Sequence, residues 1–152
     1  MRVTGGVNSI GSRIKAAIDG RALHKWVDDK TIGTTDPTVL TDATLYYNLV
    51  ENEMVLVTGV SYGINTVSDS GHFEIGYTDA AAGAGTFTAM MGHYEYSTGT
   101  VVSGRGTERD ELMPPMVARY SAGARSITYR VTVNDTGAIA SVSWCGFRVY
   151  AT

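Results

Sequence analysis

Two His-x-Glu pairs are the first candidates for chemistry in this chain of 152 residues. They are His72 with Glu74, and His93 with Glu95. Residues two apart on a β-strand lie on the same face of a sheet, so each pair would present an imidazole and a carboxylate together. Two such pairs on adjacent strands could bind a metal ion. Such sites usually need two histidines close together on one strand, and no His-x-His occurs. The pairs are therefore interpreted as polar residues on an outer sheet face, and no metal or cofactor is predicted.

Nucleophilic catalysis has no recognisable signature in the sequence. The Gly-x-Ser-x-Gly elbow of hydrolases does not occur. The single cysteine, Cys145, lies in an apolar stretch, where burial keeps a thiol protonated and inert. One cysteine also excludes an intrachain disulfide. We therefore expect no catalytic residues and no enzymatic activity.

Aromatic residues allow a different kind of site. The chain holds nine tyrosines and two tryptophans, and flat aromatic faces can stack on sugar rings. Tyr46, Tyr94 and Tyr96 are the candidates for an exposed sheet face. Tyrosine is also common in strands and at protein interfaces, so carbohydrate binding is one alternative among several.

Composition restricts the class of partner. The net charge of -3 and the pI near 5.5 argue against nucleic acid bound through its phosphates. No apolar run approaches the roughly 18 residues of a membrane span, and the N-terminus lacks the apolar core of a signal peptide. We expect neither a nucleic-acid nor a membrane partner, and a protein kept in a cytoplasm or in a particle assembled there.

The elements that would position these residues are strands. With 18 glycines and 18% charged residues, the chain is typical of turn-rich sheet proteins rather than helical ones. From about residue 43 apolar and polar residues alternate, as in strands with one buried face. A change of apolar parity in the last strand predicts a β-bulge at Cys145-Gly146. Strands are predicted near 43–50, 53–62, 72–78, 86–97, 100–103, 115–121, 125–134 and 138–150. The predicted fold class is all-β, an antiparallel jelly-roll-like β-sandwich over residues 41–152.

Residues 1–40 are predicted to form an irregular N-terminal arm with at most one short helix. Ile10, Ile14 and Ile18 recur at a spacing of four, which would place them on one helical face. The segment 31–42 is rich in Thr, Asp and Gly and is interpreted as an extended connection. If the β-sandwich is already bound to a neighbouring subunit, its covalent link to the arm would strengthen the binding of the arm to that neighbour.

The chain has more apolar residues in its predicted loops and edge strands than such segments need. Exposed sheet edges invite pairing with other chains, and symmetric oligomers are one way to cover them. The alternative is that these residues complete the sandwich core. The predicted interface residues are Met90, Met91, Leu112, Met113 and Met116, with Ile10, Ile14 and Ile18 of the arm.

The end of the chain resembles the closing hairpin of jelly-roll domains of the C1q and tumour-necrosis-factor group. Those domains often end with an aromatic residue, a small residue, a glycine, an aromatic residue and a short apolar run. The chain has Trp144, Cys145, Gly146, Phe147 and Val149 in those places. No other C1q-type motif is found, and the arm is not collagen-like.

The whole chain is similar in style to decoration (cement) and other accessory proteins of tailed-phage particles. It is rich in Gly, Thr and Ala, and an N-terminal arm precedes the predicted jelly roll. Together the two resemblances imply a trimer with a structural role.

The resulting hypothesis is a non-enzymatic structural virion protein, assembled in the host cytoplasm. We expect a capsid decoration protein that forms a homotrimer and stabilises a shell by bridging neighbouring subunits. Its partners would be copies of itself and the major capsid protein or other virion proteins. The alternatives are a carbohydrate- or receptor-binding module of a phage tail or appendage, and a cupin-like metalloenzyme.

Overall fold

The described residues of the chain form two antiparallel β-sheets that share one core. The computed structural model describes residues 21–66, 69–96 and 108–150. One short 3-10 turn, Ala81–Gly83, interrupts the strands. The strands are β1 (Ala22–Ile32), β2 (Thr38–Val39), β3 (Tyr47–Asn48), β4 (Glu53–Ile64), β5 (Ser70–Thr78), β6 (Phe87–Tyr96), β7 (Glu108–Arg119), β8 (Ser126–Val133) and β9 (Ala138–Tyr150).

The strand order confirms the predicted all-β, antiparallel, jelly-roll-like sandwich. Four strands form one sheet in the order β1-β9-β4-β7. The second sheet has the order β2-β8-β5-β6, and β3 also pairs with β8. Successive strands lie in different sheets, except that β2 and β3 share a sheet and β5 and β6 are paired neighbours. No helix among the described residues is long and apolar enough to cross a membrane.

Alternate residues of both sheets fill the core between them. Trp144 of β9 is 1% exposed, and its indole N–H donates to the carbonyl oxygen of Leu45 at 3.0 Å. The rings of Tyr62 and Phe73 stack from opposite sheets, with centroids 5.5 Å apart. Along Ser126–Val133 the four predicted inward residues are all buried. The period-two pattern therefore identified the buried side of this strand correctly.

Strand β1 was not predicted, because it lies in the segment expected to be irregular. Residues 22–32 pair with β9 from Ala22 opposite Phe147 to Ile32 opposite Ala138. A strand is stabilised by the partner it packs against as much as by its own propensity, and this partner lies at the other end of the chain. Residues 1–20, with the predicted helix, lie outside the described residues.

Two other strand predictions differ from the structure. The strand predicted over 43–50 is reduced to Tyr47–Asn48, because the backbone N–H groups of Leu45 and Tyr46 donate to the Asp42 carbonyl in a turn. Strand β7 begins at Glu108 rather than near 115, and it includes Pro114-Pro115. Proline is tolerated there because β7 is an edge of its sheet. The strand predicted over 100–103 lies outside the described residues.

The bulge predicted at Cys145-Gly146 lies on the neighbouring strand. The register between β4 and β9 shifts between Val57 and Gly59, which leaves Thr58 as the extra residue on β4. Inward and outward positions alternate without a break along β9, and Phe147 is half-buried. The parity change in the sequence therefore marks apolar residues on both faces of β9 rather than a bulge in it.

Gly146 provides a test of this close approach between β9 and β4. A Cβ at this position would lie 2.2 Å from the carbonyl oxygen of Leu56. We expect Gly146→Ala to lower the free energy of unfolding by about 2–3 kcal/mol, because the overpacked backbone must shift. Gly123→Ala is the matched control, since a Cβ there meets nothing within 4 Å. Urea denaturation would measure both, and an equally small loss in the two variants would contradict the described packing.

Candidate functional site

A row of apolar side chains crosses the outer face of the four-stranded sheet. Cross-strand partners lie on the same face of a sheet, and the register connects one apolar residue on each strand. The apolar row comprises Ala22, Phe147, Leu56 and Val117, and the neighbouring pair Met54 and Val149 extends it. Val117 is 47% exposed. Within the described residues, this row places apolar surface on the side of the sheet that faces away from the core.

A trough with polar and apolar lining lies on the same face, beyond the bulge in β4. Trp26 is opposite Ser143, and Ser143 is opposite Ser61. The Trp26 side chain is 51% exposed. We call this depression the Trp26 trough. Its lining, around a volume of about 370 Å³, consists of His24, Trp26, Val27, Asp28, Ser61, Ser141, Val142 and Ser143.

A second depression continues the Trp26 trough along the sheet. It has a volume of about 490 Å³ and also includes Gly59 and Cys145 in its lining. The two depressions share His24, Ser61 and Ser143. Because three residues line both, they form one continuous channel across β1, β9 and β4.

Hydrogen bonds hold one end of the trough in a fixed geometry. Asp29 lies in a bulge of β1 and has a φ of 49°, which costs energy for a residue with a side chain. The Ser141 hydroxyl donates to Asp28 Oδ1 at 2.7 Å and accepts from the backbone N–H of Asp29 at 3.2 Å. The Asn65 amide donates to Ser141 Oγ at 2.9 Å and to Asp29 Oδ1 at 2.7 Å. These bonds orient the Asp28 carboxylate.

The register does not bring the two His-x-Glu pairs of the metal-site hypothesis together. His93 lies opposite Phe73 and not opposite His72. Successive positions of a strand face opposite sides of the sheet, and cross-strand partners share a side. The positions of His93 and Glu95 therefore belong to one face of the sheet, and those of His72 and Glu74 belong to the other. In the part of the chain that the structure describes, no group of three or more His, Cys, Asp or Glu could hold a metal ion.

Glu74 instead belongs to a salt bridge between β5 and β8. Its Oε2 accepts a hydrogen bond from Arg130 Nε at 2.6 Å, and the guanidinium of Arg130 lies over the Phe87 ring, 4.9 Å from its centroid. The hydrogen bond from Arg130 is the main cause of a lowered pKa of Glu74. Burial opposes this shift, and the charges of Arg130 and His72 add to it.

The predicted interface residues fall into two groups. Met90, Met91 and Met116 are half-buried and pack against the core, as the alternative interpretation of these residues expects. Their contact with another subunit stays a prediction. The side chains of the other predicted interface residues lie outside the described part of the chain, and these are Leu112, Met113, Ile10, Ile14 and Ile18.

The exposed aromatic residue of this face was missed by sequence reasoning. Tyr46 is half-buried, and the side chains of Tyr94 and Tyr96 lie outside the described residues. Trp26 lies in the predicted arm instead. The sequence Leu-His-Lys-Trp-Val over residues 23–27 does not alternate between apolar and polar residues, so no local signal marked Trp26 as exposed.

Comparison with known proteins identifies no family. No protein-family model and no curated protein matches the chain. Similar solved structures include VP2 in the subviral particle of infectious bursal disease virus, with 12% identity and a TM-score of 0.44 over 86% of this chain and 33% of that chain. Another is the virus-like particle of extra small virus from the giant freshwater prawn Macrobrachium rosenbergii, with 8% identity and a TM-score of 0.38 over 86% of this chain and 80% of that chain. A third is dimeric latent PorU from Porphyromonas gingivalis, with 7% identity and a TM-score of 0.35 over 86% of this chain and 13% of that chain.

The chain spans about a third of the length of the infectious bursal disease virus protein. Two of the three similar structures are viral particles. TM-scores below 0.5 and identities of 7 to 12% establish neither a family nor a function for this chain.

The salt bridge of Glu74 predicts a pH dependence of stability. Its pKa in the folded state lies below the ordinary value of 4.5, so its contribution is complete above that value and is lost as the pH falls through the folded pKa. Glu74→Gln should therefore cost about 1 kcal/mol at pH 7 and progressively less below pH 4.5.

Urea denaturation of both proteins between pH 7 and pH 3 would measure this difference. Glu51→Gln is the matched control, because Glu51 is exposed in a turn. A difference between Glu74→Gln and the original protein that stays constant with pH would contradict a stabilising ion pair.

Proposed function

We propose that the chain is a non-enzymatic structural protein of a virion, which assembles through the apolar row. The observation that supports this most is the continuity of the row, with one apolar residue on each of the four strands. Each Å² of apolar surface removed from water contributes about 25 cal/mol. Contiguous exposed apolar surface usually marks a site of protein interaction.

The surroundings of the apolar row are those of a protein interface. Arg119 is opposite Met54 at one side of the row and is exposed. The hydroxyl groups of the Trp26 trough lie at the other side. An apolar centre with a polar rim is the usual composition of protein interfaces.

The proposed occupant of the row is a second copy of the chain. Ala22 and Val117 lie on β1 and β7, the two edges of the sheet, so the row is accessible to a neighbour from either edge. Apolar rows of two copies match each other chemically, and most soluble oligomers are symmetric. The resemblance of the closing hairpin to C1q and tumour-necrosis-factor domains favours a homotrimer.

The finer role that we propose is that of a capsid decoration protein. A trimer of such sandwiches would bridge neighbouring subunits of a shell, with the major capsid protein as its partner. The N-terminal residues, including Ile10, Ile14 and Ile18, would provide a second contact with that shell. Linkage to the docked sandwich would raise the effective concentration of this weak contact.

Val117 and Val50 provide a matched test of self-assembly. They are exposed to similar extents, 47% and 53%, but Val50 lies in the turn before β4, outside the apolar row. Val117→Lys should weaken the oligomer at least about tenfold in Kd, because a charge would be buried in an apolar contact. Val50→Lys should leave the oligomer unchanged. Light scattering over a range of protein concentrations would measure both.

Two results would contradict assembly through the apolar row. One is a monomer for the original protein at all concentrations tested. The other is equal weakening of the oligomer by the two lysine substitutions, which would indicate a general effect of charge rather than loss of a specific contact.

The role on a particle needs a separate experiment. Electron microscopy of native particles that contain the protein should place it on the outer surface of the shell, across the boundary between capsid subunits. Density at a tail or appendage tip would contradict the decoration role and favour a receptor-binding one.

A further inference from the structure

We propose that the Trp26 trough binds a neutral oligosaccharide, with one sugar ring stacked on the Trp26 indole. Trp26 is 51% exposed, whereas the other tryptophan, Trp144, is 1% exposed in the core. An exposed indole offers a flat apolar face and an N–H group at its edge. A pyranose ring has the complementary shape, with C–H bonds on one face and hydroxyl groups around its rim.

The neighbours of Trp26 suit the hydroxyl groups of a sugar. Ser143 and Ser61 follow it in the same cross-strand row, and serine hydroxyls both donate and accept hydrogen bonds. Their small side chains also leave space on the sheet beside the indole. The Ser141 hydroxyl is already engaged with Asp28, Asp29 and Asn65, so Ser61 and Ser143 are the serines that lie beside the indole for a ligand.

The size of the trough fits an oligosaccharide rather than a single sugar. Its volume of about 370 Å³ is within the usual range of about 300–1,000 Å³ for small-molecule sites. The adjoining depression of about 490 Å³ extends the channel from Trp26 to Gly59 and Cys145. A chain of several sugar rings could therefore occupy both parts.

The charge of the lining favours a neutral ligand. Among the described residues that line the two depressions, Asp28 is a carboxylate and none is Lys or Arg. The lining therefore supplies no lysine or arginine to bind sulfated, phosphorylated or uronic-acid sugars, and its carboxylate disfavours them. Sugars with hydroxyl groups alone avoid this repulsion.

The trough is rigid before any ligand arrives. The Ser141 hydroxyl holds the Asp28 carboxylate at 2.7 Å. From the opposite sheet, the Tyr129 hydroxyl shares its one hydrogen between the carbonyl oxygens of Ser143 at 2.9 Å and Ser61 at 3.3 Å. A preorganised site loses less conformational entropy on binding, which matters for ligands that bind weakly.

Sugar binding is independent of assembly through the apolar row. The trough and the row lie on the same sheet face, but neither of the two depressions is lined by a residue of the apolar row. Trp26 and Val117 lie on opposite edge strands. Substitutions at these two positions therefore distinguish the two proposals.

Calorimetric titration of the full chain with maltohexaose, cellohexaose and laminarihexaose would test the proposal. We expect one of these neutral hexasaccharides to bind with a Kd on the order of 0.1–1 mM, and an oligogalacturonate of the same length to bind at least about tenfold more weakly. Binding should also shift the fluorescence of the exposed Trp26.

Trp26→Ala should weaken sugar binding at least about tenfold, and Trp26→Phe should retain part of it because an aromatic face is kept. Val117→Lys should bind the sugar as the original protein does. Circular dichroism would confirm that each variant is folded. Since Trp26 is exposed, its loss should leave the fold intact.

Three outcomes would overturn the proposal. They are no binding of any neutral hexasaccharide, equal binding by Trp26→Ala, and a loss of oligomer mass in Trp26→Ala without any sugar binding in the original protein. The last result would identify the trough as a protein contact. Loss of the oligomer in Val117→Lys alone would concern only assembly.

Discussion

The pairing of β9 with two strands at once is the interaction on which the structure depends. Along Ala138–Tyr150 it joins β1 on one side and β4 on the other. Its inner face places Trp144 in the core, and its outer face places Phe147 in the apolar row. The absence of a side chain at Gly146 allows the β4 backbone to approach. Core, apolar row and trough therefore share one strand.

Two bulges give the outer face of this sheet its two kinds of surface. Before Thr58, the outward positions of β4 include Leu56. The extra residue reverses the alternation, so Val60 and Tyr62 are buried beyond it and Ser61 faces outward. Without the bulge, large apolar side chains would occupy the floor of the Trp26 trough. The bulge in β1 similarly directs Asp28 towards Ser141.

The sandwich thus combines a stable scaffold with surfaces that suit recognition. On the five-stranded sheet, the charged side chains of Glu74 and Arg130 form a salt bridge that joins β5 and β8. The outer face of the four-stranded sheet presents the apolar row and the serines beside Trp26, with Arg119 and Asp28 at its margins. Self-association and sugar binding use different forces, apolar burial and directional hydrogen bonds, and the two regions of this face are suited to them separately.

The amino-acid sequence by itself determined the fold class and most strands from β4 onward, because one buried face per strand imposes a period of two. Along β8 it also determined which residues face the core, although the tertiary structure buries Ser126 and Thr128 of the opposite face as well. Tertiary structure alone decided that residues 22–32 form a strand, which strand carries the bulge, and that Trp26 lies beside Ser143 and Ser61. Register is a property of two paired strands, and Ala22 and Phe147, which are paired here, lie more than a hundred residues apart. No local pattern contains that information.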